Sequence, residues 1–209
     1  MMKILTGYRL AMSAGAFLLL CACSGMLGSD KPPDKTFWLE PLAAGPMSQL
    51  ETGQTGLVLV FDVIPGLDTD RLLTLDPDAE LNRFTAARWP DHLLEFGSSL
   101  IRSSLQSTGW FSYVNDGRES MPGDCSLELE TQQFYTQIDR GARAVAVQIG
   151  MSGQYHCQGV SSKLNLDSSV PVRGAGLGAI VAAHQQAFEQ VMQSLLKQIE
   201  AVHGNGGTD

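Results

Sequence analysis

The sequence predicts an α/β fold with a largely antiparallel sheet, a long C-terminal helix and a second helix packed on it. Three observations lead to this class. Apolar and polar residues alternate along consecutive segments between Cys125 and Arg173, as in strands with one buried face. The unbroken apolar run Leu57–Ile64 predicts a strand covered on both faces. Apolar residues recur at helical spacing from Leu93 to Leu105 and along a later stretch, 177–202.

The chain begins with a pattern typical of bacterial secretory signals. Lys3 and Arg9 form a basic region, and the apolar region Leu10–Leu20 that follows is too short for a membrane-spanning helix. Residues 1–22 are therefore predicted to be a signal peptide. An ordinary signal peptide cut near Ala22 and a buried apolar helix remain as alternatives to a lipoprotein signal.

The end of this signal, Leu20-Cys21-Ala22-Cys23, resembles a lipobox. A lipobox has a branched apolar residue three positions before the lipidated cysteine and a small residue directly before it. Cys23 meets both conditions and is the predicted lipid-attachment site, whereas the earlier cysteine would have leucine at the small position. Ser24 follows, as in lipoproteins sent to the outer membrane, because retention in the inner membrane usually goes with Asp there. The predicted location is the periplasmic face of the outer membrane.

Removal of residues 1–22 leaves 187 residues with 12 basic and 22 acidic side chains, a net charge of −10. Residues 23–35 are rich in Gly, Ser and Pro and predict a lipidated flexible tether, residues 36–203 a single domain, and residues 204–209 a disordered tail. The negative charge disfavours nucleic acid as a partner. No later apolar run approaches about 18 residues, so lipid is expected to be the membrane anchor.

Turn residues delimit the strands predicted in the first half of the domain. A short strand is expected at Phe37–Leu42. Segments Arg71–Leu75 and Leu81–Thr85 flank Asp76-Pro77-Asp78, a composition typical of a hairpin turn because proline presets φ. A further strand is expected at Trp110–Val114.

Two helices are delimited in the same way. Pro90 and Asp91 favour the start of the first helix, since its first position tolerates a missing N–H and its positive end favours a carboxylate. Gly109 ends it. The apolar stripe of the second helix includes His184, which we interpret as a packed, hydrogen-bonded residue or an interface residue.

Assumed turn positions between Cys125 and Arg173 predict which residues of neighbouring strands face each other. If Arg140-Gly141-Ala142 is a loop, Tyr135 faces Val147 and Leu129 faces Gly153. Phe134 and Ile138 are then exceptions on the polar face. If Gln158-Gly159 is a two-residue turn, Cys157 faces Val160. Strands this long exceed the usual length, so we expect a bulge near Gly150 or Gly153.

The same register puts Cys125 opposite Cys157. Opposed strand residues have Cα atoms about 4.5–5.5 Å apart, within the span of a disulfide, and the periplasm is oxidising. We therefore predict a Cys125–Cys157 disulfide. Two free buried thiols are the alternative. A metal site is less favoured, because His156 is the nearby nitrogen ligand and its side chain points to the opposite face.

Patterns typical of catalysis are weak or missing. Gly174–Ala179 has the spacing of a dinucleotide-binding loop, but it does not open a βαβ unit and reads as a link into the last helix. The acidic run Asp76–Glu80 lacks the glycine of a calcium loop. The sequence has no G-x-S-x-G or H-E-x-x-H pattern. We therefore predict no enzyme activity, no cofactor and no metal.

Several local patterns, together with the lipobox and the long last helix, resemble the ABC-type transport auxiliary lipoproteins. They are Phe37-Trp38-Leu39, the run Leu57–Ile64, the following segment Pro65–Leu73, and Ala87–Leu93 before the first helix. The resemblance implies a mixed sheet. It also implies an outer-membrane lipoprotein that works with an MCE-domain periplasmic protein and an inner-membrane permease to move phospholipid or other lipid, and assembly into a homo-oligomeric ring.

These expectations lead to three hypotheses of different classes. The first is a non-catalytic docking subunit of a lipid transport system. The second is a periplasmic shuttle that holds acyl chains in an apolar cleft between helix and sheet. The third, a periplasmic hydrolase, would require activity that is lost on replacing His156 or His184.

Overall fold

The computed structural model describes residues 34–43, 55–117 and 124–204. These residues belong to one compact unit that runs from Asp34 to Asp209. The predicted signal peptide, Cys23, most of the predicted tether and the tail beyond Gly204 lie outside the described residues. Of the helices described, neither is both long and apolar enough to cross a membrane.

The described part of the chain forms eight strands and two helices. The strands are β1 (Lys35–Thr36), β2 (Leu57–Val63), β3 (Arg71–Leu75), β4 (Leu81–Arg88), β5 (Val114–Asn115), β6 (Cys125–Ile138), β7 (Ala144–Cys157) and β8 (Val160–Pro171). The helices are α1 (Leu93–Ser107) and α2 (Leu177–Gly204). The sheet is mixed, so the predicted α/β class with a long C-terminal helix is confirmed.

Strand β6 is the centre of the sheet because it pairs along both edges. One edge pairs antiparallel with β7, which pairs antiparallel with β8. The other edge pairs parallel with β2 over Cys125–Thr131 and with β3 at Thr136–Gln137. β5 extends the sheet beyond β2, and β4 and β1 extend it beyond β3. β6 therefore connects two groups of shorter strands on one edge, β2 with β5 and β3 with β4 and β1, to the long strands β7 and β8 on the other.

The predicted register of the long strands is largely confirmed. Leu129 faces Gly153, and Cys157 faces Val160. The turn Gln158–Gly159 has φ values of 51° and 82°. Two consecutive positive φ values are typical of a type I′ hairpin turn, whose twist matches that of the strands it joins.

The predicted pairing of Tyr135 with Val147 is wrong because β6 contains a bulge. The register shifts at Gln132, beside Gly150, which is where a bulge was expected. Beyond this point Thr136 faces Val147. One extra residue moves every later side chain to the other face of the strand.

Because of the bulge, the prediction that Phe134 and Ile138 lie on the polar face is also wrong. Phe134 is buried, and Ile138 is partly buried. Both halves of β6 can therefore place apolar side chains in the same core.

Both helices lie on one face of the sheet. α1 packs on β2 through the ring of Phe61. α2 packs on β7 and β8, and Ser168 of β8 donates a hydrogen bond of 2.7 Å to Gln190 of α2. The opposite face is open to solvent, and Val60 there is 49% exposed. The prediction that Leu57–Ile64 is covered on both faces is therefore wrong.

The segment Phe37–Leu42 is not the strand that was predicted. It crosses the two helices, and helix side chains bind its backbone. The N–H of Glu40 donates to Oε1 of Gln185 in α2 at 2.8 Å, and the N–H of Leu42 donates to Oγ of Ser104 in α1 at 2.9 Å. These side chains replace the neighbouring strand that a ladder would need.

The predicted strand Trp110–Val114 is reduced to its last residue, where β5 begins. Trp110 and Phe111 are both buried, although consecutive strand residues point to opposite faces. This pair therefore forms a buried loop after α1.

Strand β8 is an edge of the described sheet, and two features cover that edge. Hydrogen-bonded pairs alternate from Cys157–Val160 onward, so Asn165 and Pro171 turn their backbone groups away from β7. The Nε2 of Gln198 in α2 donates to the carbonyl oxygen of Asn165 at 3.1 Å. Proline has no N–H to offer. The edge therefore carries fewer free groups for another strand.

Replacing Gly153 with alanine is expected to lower the free energy of unfolding by about 1–3 kcal/mol. The new Cβ would overlap the backbone oxygen of Glu128 on β6. Gly178→Ala is the matched control, because no atom lies within 4 Å of its new Cβ. This helical variant should be neutral or stabilised by up to about 1 kcal/mol. Urea unfolding measures both, and equal stability of the two variants would contradict the close approach.

Candidate functional site

Five ring side chains form a continuous cluster between the helices and the sheet. We call Trp38, Trp89, Phe96, Phe134 and His184 the aromatic cluster. Trp89 is 1% exposed and stacks on Phe96 of α1 with ring centroids 5.7 Å apart. It meets Phe134 of β6 at 5.7 Å and His184 of α2 at 5.2 Å, both edge-on. The side chain of Trp89 therefore contacts α1, β6 and α2.

Trp38 is the exposed end of this cluster. Its indole is 61% exposed and meets Phe96 edge-on at 5.8 Å. Its neighbour Leu39 is fully buried, which fixes the backbone that carries the indole. A shallow cavity of about 360 Å³ lies beside it. We call this region the Trp38 surface, and its lining residues are Trp38, Pro41, Pro90, Asp91, Glu95, Phe96, Ser99, Leu100 and Ser103.

The Trp38 surface lies at the first turn of α1 and has acidic groups at its rim. Asp91 and Glu95 stand where the positive end of the helix favours carboxylates. The N–H of Leu94 donates to Oδ1 of Asp68 at 3.0 Å, so a residue of the preceding loop caps the helix. The predicted helix start at Pro90 is three residues too early, since α1 begins at Leu93. The sequence did not predict this cap, which comes from a residue 26 positions earlier.

A second concave region lies where the β6–β7 turn, β4 and the start of α2 meet. Its volume is about 800 Å³. We call it the Arg143 groove, and its lining residues are Phe84, Thr85, Asp139, Ala142, Arg143, Ala144, Val145, Val172, Gly174, Ala175, Gly176, Leu177 and Ile180. Most are apolar or small, and Val145 is 50% exposed.

The polar end of this groove is organised by Asp139. Its Oδ1 accepts hydrogen bonds from the N–H groups of Gly141 and Arg143 at 2.8 and 3.0 Å. Its Oδ2 lies 3.0 Å from Nε and 2.9 Å from Nη2 of Arg143. The backbone N–H of Arg143 is the largest cause that lowers the pKa of this carboxyl, followed by the side chain of the same arginine. Arg143, whose side chain is 84% exposed, therefore forms an ion pair with the carboxylate that closes its own turn.

The glycine-rich segment Gly174–Ala179 joins β8 to α2, as the sequence predicted. Gly174 and Gly176 have φ values of 110° and 81°, which residues with a side chain rarely adopt. No strand follows α2 among the residues that the structure describes, so the βαβ unit of a dinucleotide site is not formed there.

His184 lies in the core, as predicted for a packed, hydrogen-bonded residue. It is 1% exposed, and its Nδ1 lies 3.0 Å from the carbonyl oxygen of Ile180. Nδ1 therefore carries the proton and donates it. Nε2 is buried with no hydrogen-bond partner among the described residues. Burial lowers the pKa of His184 to about 4, so the ring is neutral near pH 7.

Cys125 and Cys157 meet at the open end of the β6–β7 hairpin. Their Cα atoms are 4.3 Å apart and their sulfur atoms are bonded. Both residues are buried. The bond links the first residue of β6 to the last residue of β7, so it closes the end of the hairpin opposite its turn.

The remaining polar groups considered from the sequence serve local structure. His156 Nε2 contacts Oε1 of Gln154 at 3.2 Å, and His156 is exposed, whereas His184 is buried. Oδ1 of Asp76 accepts from the N–H groups of Asp78 and Glu80 at 2.9 Å, which closes the β3–β4 turn. Over 34–43, 55–117 and 124–204, no three His, Cys, Asp or Glu side chains are grouped as metal ligands.

A family model described as an ABC-type transport auxiliary lipoprotein component matches residues 39–195. Among curated proteins, none matches this chain.

Solved structures share the fold. A crystal structure described as an uncharacterized protein has a TM-score of 0.62 and 14% identity, and the match covers 80% of this chain and 99% of that chain. Protein XCC0632 from Xanthomonas campestris, of family DUF330, has a TM-score of 0.60 and 17% identity, and the match covers 78% of this chain and 92% of that chain. Likeness at this identity concerns the fold.

The stability of the fold is expected to fall between pH 6.5 and 4 because of His184. The unfolded chain binds a proton there near the ordinary pKa of 6.5, whereas the folded ring does so only near 4. The unfolded state therefore gains stability as the pH falls, by about 3 kcal/mol over the full range. In His184→Phe, which retains a packed ring, this part of the pH dependence should vanish.

Urea unfolding at several pH values measures this difference. His203 titrates in both proteins, so comparison of the two curves isolates His184. Parallel curves for wild type and variant would show that residue 184 does not titrate with a lowered pKa.

Proposed function

The chain belongs to the ABC-type transport auxiliary lipoprotein components, and from that membership we propose that it is a non-catalytic docking subunit of an intermembrane lipid transport system. In this proposal a lipid on Cys23 anchors it to the periplasmic face of the outer membrane. Its partners are an MCE-domain periplasmic protein and, through that protein, an inner-membrane permease. The folded domain receives the end of the periplasmic conduit.

The Trp38 surface is the observation that favours docking. Tryptophan is enriched among residues that dominate interface energetics, and such residues sit beside pockets on rigid supports. Trp38 has that support, since Leu39 is buried and Phe96 contacts its ring. The carboxylates of Asp91 and Glu95 complement a basic group. The proposed occupant is therefore a partner segment that presents an apolar side chain next to Lys or Arg.

The position of Trp38 suits a protein held by its N-terminus. Lys35 is the first residue of β1, so the proposed tether is residues 23–34 and not the predicted 23–35, and extended chain spans at most about 3.3 Å per residue. The tether thus allows the domain to stand about 40 Å from the anchored residue. That reach lets the domain follow a partner that approaches from the periplasm.

The absence of a catalytic role is part of the proposal. His184 is sealed in the core and neutral, so it cannot exchange protons with a bound substrate. His156 lies on the exposed side of β7 with Gln154 as its contact. Neither histidine has a nucleophile placed beside it by any described contact, which disfavours the hydrolase hypothesis.

The anchor can be tested on protein purified from cell membranes. The mature chain should start at residue 23 with lipid on Cys23, and Cys23→Ser should leave the outer-membrane fraction.

When denatured without reductant, the mature protein should expose no reactive thiol, because Cys125 and Cys157 are bonded. Mass spectrometry measures the lipid on Cys23, and thiol labelling measures the free thiols of Cys125 and Cys157. An unmodified residue 23, or a soluble periplasmic product, would contradict the anchor, and two reactive thiols would contradict the bond.

The docking surface can be tested by site-specific photocrosslinking in cells. A photoreactive residue at position 38 of the full-length protein should capture an MCE-domain protein, identified by mass spectrometry. Position 60 on the open sheet face is the control, since Val60 is 49% exposed. Trp38→Ala should reduce recovery of the partner about tenfold or more, as for a hot-spot side chain. Capture at position 60 with none at 38 would place docking elsewhere, and no such partner from any surface position would refute the function.

A further inference from the structure

We propose that the outer edge of β4 binds an extended, acidic segment of another protein, which joins the sheet as an added strand. We call residues Leu81–Thr85 the β4 edge. This site is separate from the Trp38 surface, because none of these residues is among the lining residues of that surface. Two features define the occupant, namely outward-facing backbone groups and an exposed cation.

The backbone of the β4 edge has groups that point away from β3. The N–H of Asp76 donates to the carbonyl oxygen of Glu80 at 3.2 Å, so these two residues are a hydrogen-bonded pair of the β3–β4 hairpin. Hydrogen-bonded pairs alternate along antiparallel strands, so Asn82 bonds to β3, whereas Leu81 and Arg83 do not. The N–H and C=O groups of Leu81 and Arg83 therefore face outward.

The described part of the chain places no strand beside these groups. β1 lies on this side of β4, but it pairs only with Ala87 and Arg88. Residues Leu81–Arg83 are exposed, and so is Thr85. An exposed row of unpaired N–H and C=O groups is a template for another strand, and main-chain hydrogen bonds supply the affinity in that mode of recognition. The pairing of β1 shows that this side of β4 accepts a strand.

The opposite edge of the sheet, on β8, is capped. Gln198 binds the carbonyl oxygen of Asn165, and Pro171 has no N–H. The backbone groups of Leu81 and Arg83 have no comparable hydrogen bond to a described residue outside the β3–β4 pair. The β4 edge is therefore open where the β8 edge is closed.

Arg83 determines the charge of the occupant. Its side chain is exposed and forms no ion pair with a described residue. Glu80, the nearest acidic residue in sequence, is three positions away, so the two side chains point to opposite faces. A strand with Asp or Glu opposite Arg83 gains a charge-assisted pair, whereas a basic strand is repelled. Leu81, on the same face as Arg83, is 41% exposed and favours an apolar side chain near that carboxylate.

Two other occupants meet obstacles. The chain's own tether would have to continue from β1, but Pro32 and Pro33 have no N–H to donate to the β4 edge. Two copies paired antiparallel through this edge and centred on Arg83 would bring two Arg83 side chains together. The β8 edge of a second copy is capped by Gln198. The proposed occupant is therefore a segment of a different protein.

Hydrogen exchange of the isolated full-length protein tests whether the edge is open. The N–H groups of Leu81 and Arg83 should exchange with solvent at least about tenfold faster than the N–H of Asn82, which bonds to β3. Slow exchange at both outward positions would show that the chain covers its own edge, and would overturn the proposal.

The occupant can be captured in cells with a photoreactive residue at position 81 of the full-length protein. The adduct, sequenced by mass spectrometry, should be a segment of another protein that contains Asp or Glu. Position 163 is the control, because Lys163 is also exposed on an outer strand but lies on the capped edge. The adduct at 81 should exceed that at 163 at least about fivefold. No protein adduct at 81, an equal adduct at 163, or an adduct with the tether or a second copy would overturn the proposal.

Two variants then separate charge from backbone pairing. Arg83→Glu should reduce the adduct at position 81 at least about fivefold, because it sets a carboxylate against an acidic strand. Arg83→Pro should reduce it as well, because proline removes an outward N–H that β3 does not use. Lys163→Glu is the matched control and should leave the adduct unchanged. An adduct that survives either Arg83 variant would overturn the proposal, and Arg83→Glu alone decides if the proline variant does not fold.

The outcomes for this site and for the docking function are separable. Position 38 reports docking, and position 81 reports the added strand. Capture at 38 with none at 81 would refute the added strand alone. Capture of an acidic segment at 81, with no MCE-domain protein from any surface position, would refute the docking function alone.

Discussion

The extra residue in β6, Gln132, determines which side chains meet in the core. A strand of 14 residues with strict alternation would turn Tyr135 inward and Phe134 outward. The register shift reverses this, and Phe134 then reaches Trp89 and His184. The contacts of Phe134 with Trp89 and with His184 of α2 therefore form only because the ladder is interrupted.

The aromatic cluster explains how Trp38 can be exposed to solvent and still be supported by packing. Trp38 extends from a row of rings whose inner members are fixed by packing on the sheet and on α2. The Arg143 groove differs in kind, because a turn and a glycine-rich segment form much of it, and Phe84 is the one aromatic ring among the lining residues described. The domain thus has two concave surfaces of different construction on separate parts of the molecule.

The sequence predicted the elements whose signals are local. The turn Gln158–Gly159 and the apolar alternation set the register of β7 and β8. The loop Arg140-Gly141-Ala142 gave the register of β6 and β7 near the cysteines. The sequence did not predict the course of Phe37–Leu42, because the groups that bind this segment, Gln185 and Ser104, lie 145 and 62 positions from their partners. The sites depend on the same kind of distant contact. Trp38 was visible as part of a family pattern, but its exposure follows from packing.

The hydrogen bond from Gln198 to the carbonyl oxygen of Asn165 affects how copies of the protein would meet at a membrane surface. Proteins fixed to a bilayer diffuse in two dimensions, so identical copies collide far more often, and in fewer orientations, than they would in bulk liquid. A bare lateral strand would turn such collisions into fibre growth. If the proposed lipid anchor holds the protein at a membrane, the occupied carbonyl and Pro171, which has no N–H, would limit such pairing between copies.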